Sequence, residues 1–302
     1  MICNKFYFRI MLLLLLSILV GGCGLSKLSK IQQESDLTVV ETTLEKNLKT
    51  LERLAKLGNK SLVVKTARAF SSYSGFLEDR MEDAEIAGDT ETAEEMRTQA
   101  IAHYARSEMY AFKALAKSNK SFNKARTIGM EVFEKMLQKV KKEDVEPLFW
   151  AAYAVGRGIS LQKDDPMQVI DLARVELMMR RILELDETFY FGSAHLFYAV
   201  YYGDRSPAIG GNPEKAKEHI KKVDEINDNK FLMSKFYLAR YYAYPKQDLE
   251  LYKKSLQEVL DAPDDLYPGE EAATALAKSR AKRWLSQTDI LFDLEMEEGE
   301  TE

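Results

Sequence analysis

Apolar residues along most of this chain recur every three or four positions, the spacing of one face of a helix. Leu37, Val40, Leu44, Leu48 and Leu51 form the first stripe, and Gly58-Asn59 follows it as a glycine C-cap signal. The same pattern predicts helices over about 61–86, 90–118, 122–141, 145–161 and 166–184. It continues over about 189–202, 213–227, 231–243, 246–261 and 269–287. Breaks fall at Gly88, at Asn119 and in the charged turn from Lys141 to Asp144. Asp165-Pro166 and Asn212-Pro213 each set a capping side chain before a proline at the first helical position. No useful length alternates with period two, so the expected fold class is all-α.

The helices also pair. Val175, Met179 and Ile182 are spaced four then three, as are Ala216, Ile220 and Val223, and Tyr252, Leu256 and Val259. Their first members lie 41 and 36 residues apart, near the period of helix-turn-helix repeats. Before them, Tyr198-Ala199-Val200-Tyr201-Tyr202 is matched by Leu238-Ala239-Arg240-Tyr241-Tyr242, and Tyr153-Ala154-Val155 is a weaker third copy. The expectation is a solenoid of degenerate helical hairpins, tetratricopeptide-like, with additional N-terminal helices. Generic helix packing is the other source of such a period. A true array of this kind carries a concave binding face.

The N-terminus departs from this pattern. Lys5 and Arg9 precede an apolar run from Ile10 to Val20 that includes five consecutive leucines, Leu12 to Leu16. The run has the length of a signal-peptide core and is too short to span a bilayer. Leu19-Val20-Gly21-Gly22-Cys23 resembles the lipobox of bacterial lipoproteins. That resemblance implies cleavage before Cys23, a diacylglycerol thioether on its sulfur and further acylation of palmitate type. The expected organisation is a signal peptide over 1–22, a flexible lipid-anchored tether over 23–36, a helical domain over 37–288 and an acidic tail over 289–302. The expected location is the periplasmic side of the cell envelope, held to a membrane.

Composition narrows the function. Losing Lys5 and Arg9 with the signal takes the net charge from −5 to −7, which gives no support for nucleic-acid binding. Of the two cysteines, Cys3 leaves with the signal and Cys23 is the expected lipid site, so no disulfide or cysteine nucleophile is expected. The three histidines, His103, His195 and His219, each stand alone in sequence, without a neighbour at metal-ligand spacing. Hydrolase, metalloprotease and phosphate-loop signatures are absent. A binding protein without cofactor or metal is therefore expected rather than an enzyme.

Two features point to binding. Aromatics concentrate on the first helices of the pairs: Trp150, Tyr153, Tyr198, Tyr201, Tyr202, Tyr237 and Tyr241, with His195 between Phe191 and Tyr198. Arg157, Arg205 and Arg240 lie close to them in sequence, a composition suited to an amphipathic ligand or a peptide. The second feature is the long connector Gly203 to Pro213, which carries Ile209 and reads either as a structured link or as a ligand or partner contact.

The run Pro207-Ala208-Ile209-Gly210-Gly211-Asn212-Pro213-Glu214-Lys215-Ala216, followed by His219, resembles the T-component lipoproteins of TRAP transporters (tripartite ATP-independent periplasmic transporters). Gly75-Phe76-Leu77-Glu78-Asp79, within Phe70 to Asp83, is similar to them as well. The resemblance implies cryptic tetratricopeptide repeats, a homotrimer and association with the periplasmic solute-binding P component. It also implies a cavity or pore in each protomer for a hydrophobic or organic-acid ligand. The alternative is a lipid-anchored scaffold for envelope protein assembly, working through protein contacts without a small ligand.

Overall fold

The structure, a computed structural model, describes residues 27–162 and 166–294. The signal segment, Cys23, the Asp165 cap and the acidic run from Glu295 onward lie outside the described residues. Within them the fold is all-helical, with twelve α-helices and no strand. These are α1 (Leu37–Ala55), α2 (Lys60–Ile86), α3 (Thr90–Ser118), α4 (Met130–Leu137), α5 (Val145–Ser160) and α6 (Pro166–Asp186). They continue as α7 (Phe189–Gly203), α8 (Pro213–Ile226), α9 (Met233–Leu238), α10 (Leu249–Asp261), α11 (Glu271–Leu285) and α12 (Thr288–Leu291).

Short polar side chains start these helices by accepting orphan backbone N–H groups. Asp36, Asn59, Asp89, Asn212 and Asp248 cap α1, α2, α3, α8 and α10 in this way. All nine residues of the three spaced triplets are buried, so that periodicity marks core positions.

The helices enclose two packed cores. The first is built from α1 to α6 and takes Ala194 and Tyr198 of α7. The second runs from Leu196 of α7 through α8, α9, α10 and α11. Helix α7 thus belongs to both, with different faces turned to each. The chain then folds back, because α11 packs on α1 and is ion-paired to α2 about two hundred residues upstream. In an open solenoid each repeat touches only its neighbours. This return contact is a departure from that expected shape.

Four local differences from the expected elements have tertiary causes. Residues 122–141 form a 3-10 turn at Lys120–Lys124 and the short α4, not one helix. Arg174 of α6 donates to the carbonyls of Ala125 (2.9 Å) and Ile128 (2.5 Å), holding the intervening chain in a turn. The start of α7 is left-handed at Tyr190, Phe191 and Gly192, with φ of 46°, 62° and 73°. Two bulky residues in that region are strained. The Phe191 ring stacks on Phe231 at 4.4 Å and its carbonyl accepts from Asn227 Nδ2 at 3.1 Å. After α9 the chain widens into a π-turn at Ala239–Ala243. There Gly203 is required, since a Cβ at that position would lie 2.2 Å from the Tyr241 carbonyl oxygen. Finally, part of the expected tether is folded: Ile31–Gln33 forms a 3-10 turn, and Leu28 and Ile31 pack on the first core.

Candidate functional site

Where α5, α6 and α7 meet, with Tyr237 of α9 at one side, they leave a cavity of about 300 Å³. That is at the lower end of the roughly 300–1,000 Å³ typical of small-molecule sites. Its two long walls are helix stripes. Helix α5 contributes Phe149, Ala152, Tyr153, Gly156, Arg157 and Ser160, and α7 contributes Ser193, Leu196, Phe197, Val200, Tyr201 and the following Asp204 and Arg205. Each stripe steps by three and one, so side chains from successive turns share a face. Ala152, Gly156 and Ser160 are small residues of the α5 wall that leave room beside the rings. Gly156 faces Val175 of α6, where a Cβ would make ordinary contact at 3.4 Å from Cγ1.

The lining is mainly aliphatic and aromatic, with a few polar groups. The Arg205 guanidinium lies over the Tyr201 ring at 3.6 Å from its centroid. Stacking of that kind leaves the in-plane N–H donors free for an anion. Tyr153 is half-buried, and its low-dielectric surroundings raise its phenol to about 12, so it stays a neutral hydrogen-bonding group. Arg157 is ion-paired with Glu78, and its Nε donates to Glu78 Oε1 at 3.0 Å. Burial lowers the Arg157 pKa without discharging it. The arrangement suits an amphipathic molecule with an apolar body and one acidic end.

A family model described as TRAP transporter T-component matches residues 33–292. The chain belongs to the TRAP transporter T-component family. A search of curated proteins finds no match to it. Members of this family are accessory transport components. No helix among the described residues is long and apolar enough to cross a membrane.

In this T-component, five of the residues singled out from sequence line the cavity: Tyr153, Arg157, Tyr201, Arg205 and Tyr237. Trp150, Tyr198, Tyr241 and His195 are instead buried in the packing around it. Trp150 packs edge-on against Tyr190 at 5.2 Å, and Tyr241 lies in the π-turn. Tyr202 stacks on His219 at 5.9 Å. Arg240 covers Trp284 at 4.2 Å and pairs with Glu82 at 3.4 Å. Ile209 is 68% exposed on a 3-10 turn of the Gly203–Pro213 connector. That connector is structured, since Asn212 N donates to the Tyr202 carbonyl at 2.8 Å.

The histidines correct the sequence reading. His195 and His219 do not stand alone: their Nδ1 atoms are 2.9 Å apart, joining α7 to α8. One nitrogen donates and the other accepts, which requires at least the accepting imidazole to be neutral. Burial lowers both, and brings His219 to about 4, with the His195 and Lys215 charges adding to the effect. No group of three or more His, Cys, Asp or Glu among the described residues could hold a metal.

Sequence reasoning also missed a partly buried ion cluster between α2 and α11. Arg280 grips Asp79 through Nε and Nη2 at 2.9 and 3.0 Å, and Arg283 bonds Asp79 at 2.8 Å and Asp83 at 3.0 Å. Glu78 takes Arg157 and the Tyr104 hydroxyl beside them. Burial opposes ionisation of Asp79, but the Arg280 and Arg283 guanidiniums hold its carboxyl below the usual carboxylate range. The only sequence trace is four acids at 78, 79, 82 and 83 on one helix face.

Proposed function

We propose that this protein is a lipid-anchored TRAP accessory component that binds an amphipathic organic acid and docks the solute-binding P component. The observation that carries the ligand half is the α5–α6–α7 cavity, apolar along its walls and bearing Arg205 stacked on Tyr201. An acyl or aromatic body would lie against Phe197, Val200 and Ile159, and a carboxylate would take the Arg205 donors. Lipid on Cys23 would keep the domain at the periplasmic face of a membrane. The paired helices are the remains of tetratricopeptide-like hairpins, and the working assembly is a homotrimer.

A cavity of this size weighs against the alternative of an envelope scaffold acting through protein contacts alone. The test is purification of the full-length protein from membranes under mild detergent, followed by native mass spectrometry. The expected spectrum shows a lipidated trimer, a bound small acid and retained solute-binding component. A lipidated protein that captures neither acid nor solute-binding component would refute the reading.

A further inference from the structure

The chain is acidic overall, with a net charge of −5, yet Lys113 to Lys142 holds nine basic residues and only two acids, Glu131 and Glu134. Within that stretch the end of α3 and the turn after it form a groove. Its floor is the buried pair Phe112 and Phe122, stacked at 6.4 Å, and its exposed apolar side chain is Met109, 53% accessible. Lys113 and Lys124 edge the groove, and Lys117 and Lys120 continue the same run. All four lysines are exposed, and none is ion-paired among the described residues. Their neighbours are matched: Lys60 pairs with Asp144, and Arg126 with Glu108 and Asp171. Four unneutralised cations around an exposed methionine attract a surface with carboxylates around an apolar side chain.

The groove's position favours a protein over lipid headgroups as the partner. Lys117 lies against Gly58, in the turn after α1. The tether enters at the opposite end of α1, at Ile31–Gln33 and Asp36. Nineteen helical residues separate the two ends, about 28 Å at 1.5 Å per residue. We propose that this lysine-edged groove is the docking site for an acidic surface of the solute-binding component. The assignment rests on the docking half of the function proposed above.

The test uses the full-length lipoprotein in detergent micelles and the solute-binding component of the same transporter. Reversing the four charges (Lys113→Glu, Lys117→Glu, Lys120→Glu and Lys124→Glu) is expected to weaken binding at least about tenfold. Wild-type binding should also weaken as salt rises from about 50 to about 300 mM, and the reversed variant should lose most of that dependence. The four Lys→Arg changes should retain affinity, and Lys253→Glu with Lys254→Glu on α10 should leave it unchanged. Thermal melts of each variant check folding, which four exposed positions should not disturb. If the wild type binds and the quadruple reversal binds equally well, this inference fails while the docking reading stands. If the wild type does not bind at all, the docking reading fails and this inference with it. A Cys23→Ser form that loses binding to phosphatidylglycerol vesicles on charge reversal, while keeping the solute-binding component, would make the groove a membrane contact and overturn the assignment.

Discussion

The α2–α11 ion cluster and the α5–α7 cavity sit on either side of Arg157, and they differ in what they leave unsatisfied. In the cluster, the half-buried Arg280 and buried Arg283 meet carboxylates at 2.8 to 3.0 Å, and Asp79 serves both. In the cavity, helices approach without filling the space, and Arg205 rests on a ring. Matched charge leaves no donor or acceptor for a ligand and is costly to unbalance, whereas unfilled apolar volume beside an available cation suits a ligand. The contrast teaches that burial of charged residues alone does not mark the binding site.

The largest effect should come from unbalancing the cluster. Asp79→Ala leaves Arg280 without its carboxylate, while Arg283 keeps Asp83, and should cost about 3–5 kcal/mol of stability, read as a lower urea midpoint. Ligand affinity per folded molecule should change little. If that variant instead kept its stability and lost its ligand, the roles assigned to the two regions would be reversed. Next, Val200→Trp should occupy the cavity and weaken binding of a fluorescent fatty acid at least about tenfold, or about 1.4 kcal/mol. Smaller still, Arg205→Gln should weaken binding of the acid by about 1 kcal/mol and leave its methyl ester unaffected, as calorimetry would show.

The His195–His219 contact gives the smallest effect, and only in acid. Both histidines titrate lower in the fold than unfolded, so between about 6.5 and 4 the unfolded chain binds more protons. Stability should hold above about pH 6.5 and fall as pH drops through that window. Asp79 adds a loss of the same sign at lower pH, because its folded pKa is also depressed. His219→Asn should flatten the upper part of the slope in urea titrations at stepped pH.

Much of the fold was legible because helix signals are local. The spacing of Leu37 to Leu51 and the Asn212-Pro213 cap each depend on residues within a turn or two. The exceptions depended on distant groups: Arg174 bonding the chain before α4, and Asn227 and Phe231 holding the left-handed start of α7. The same holds at the site. Tyr153, Arg157 and Tyr201 were visible as an aromatic and basic set on first helices. Spacing could not say that Trp150, Tyr198 and Tyr241 turn into the core, since a ring stripe fits either side of a helix. Asp79 and Arg280 are about two hundred positions apart in sequence, so nothing local joined them.

The most direct test of the cavity as a ligand site is photo-crosslinking of the full-length protein with a diazirine-bearing fatty acid, followed by peptide mass spectrometry. The account predicts adducts on Phe197, Val200 or Ile159 that unlabelled fatty acid competes away and that Val200→Trp abolishes. Adducts confined to exposed apolar positions such as Ile290 or Leu57, unchanged in Val200→Trp, would contradict it.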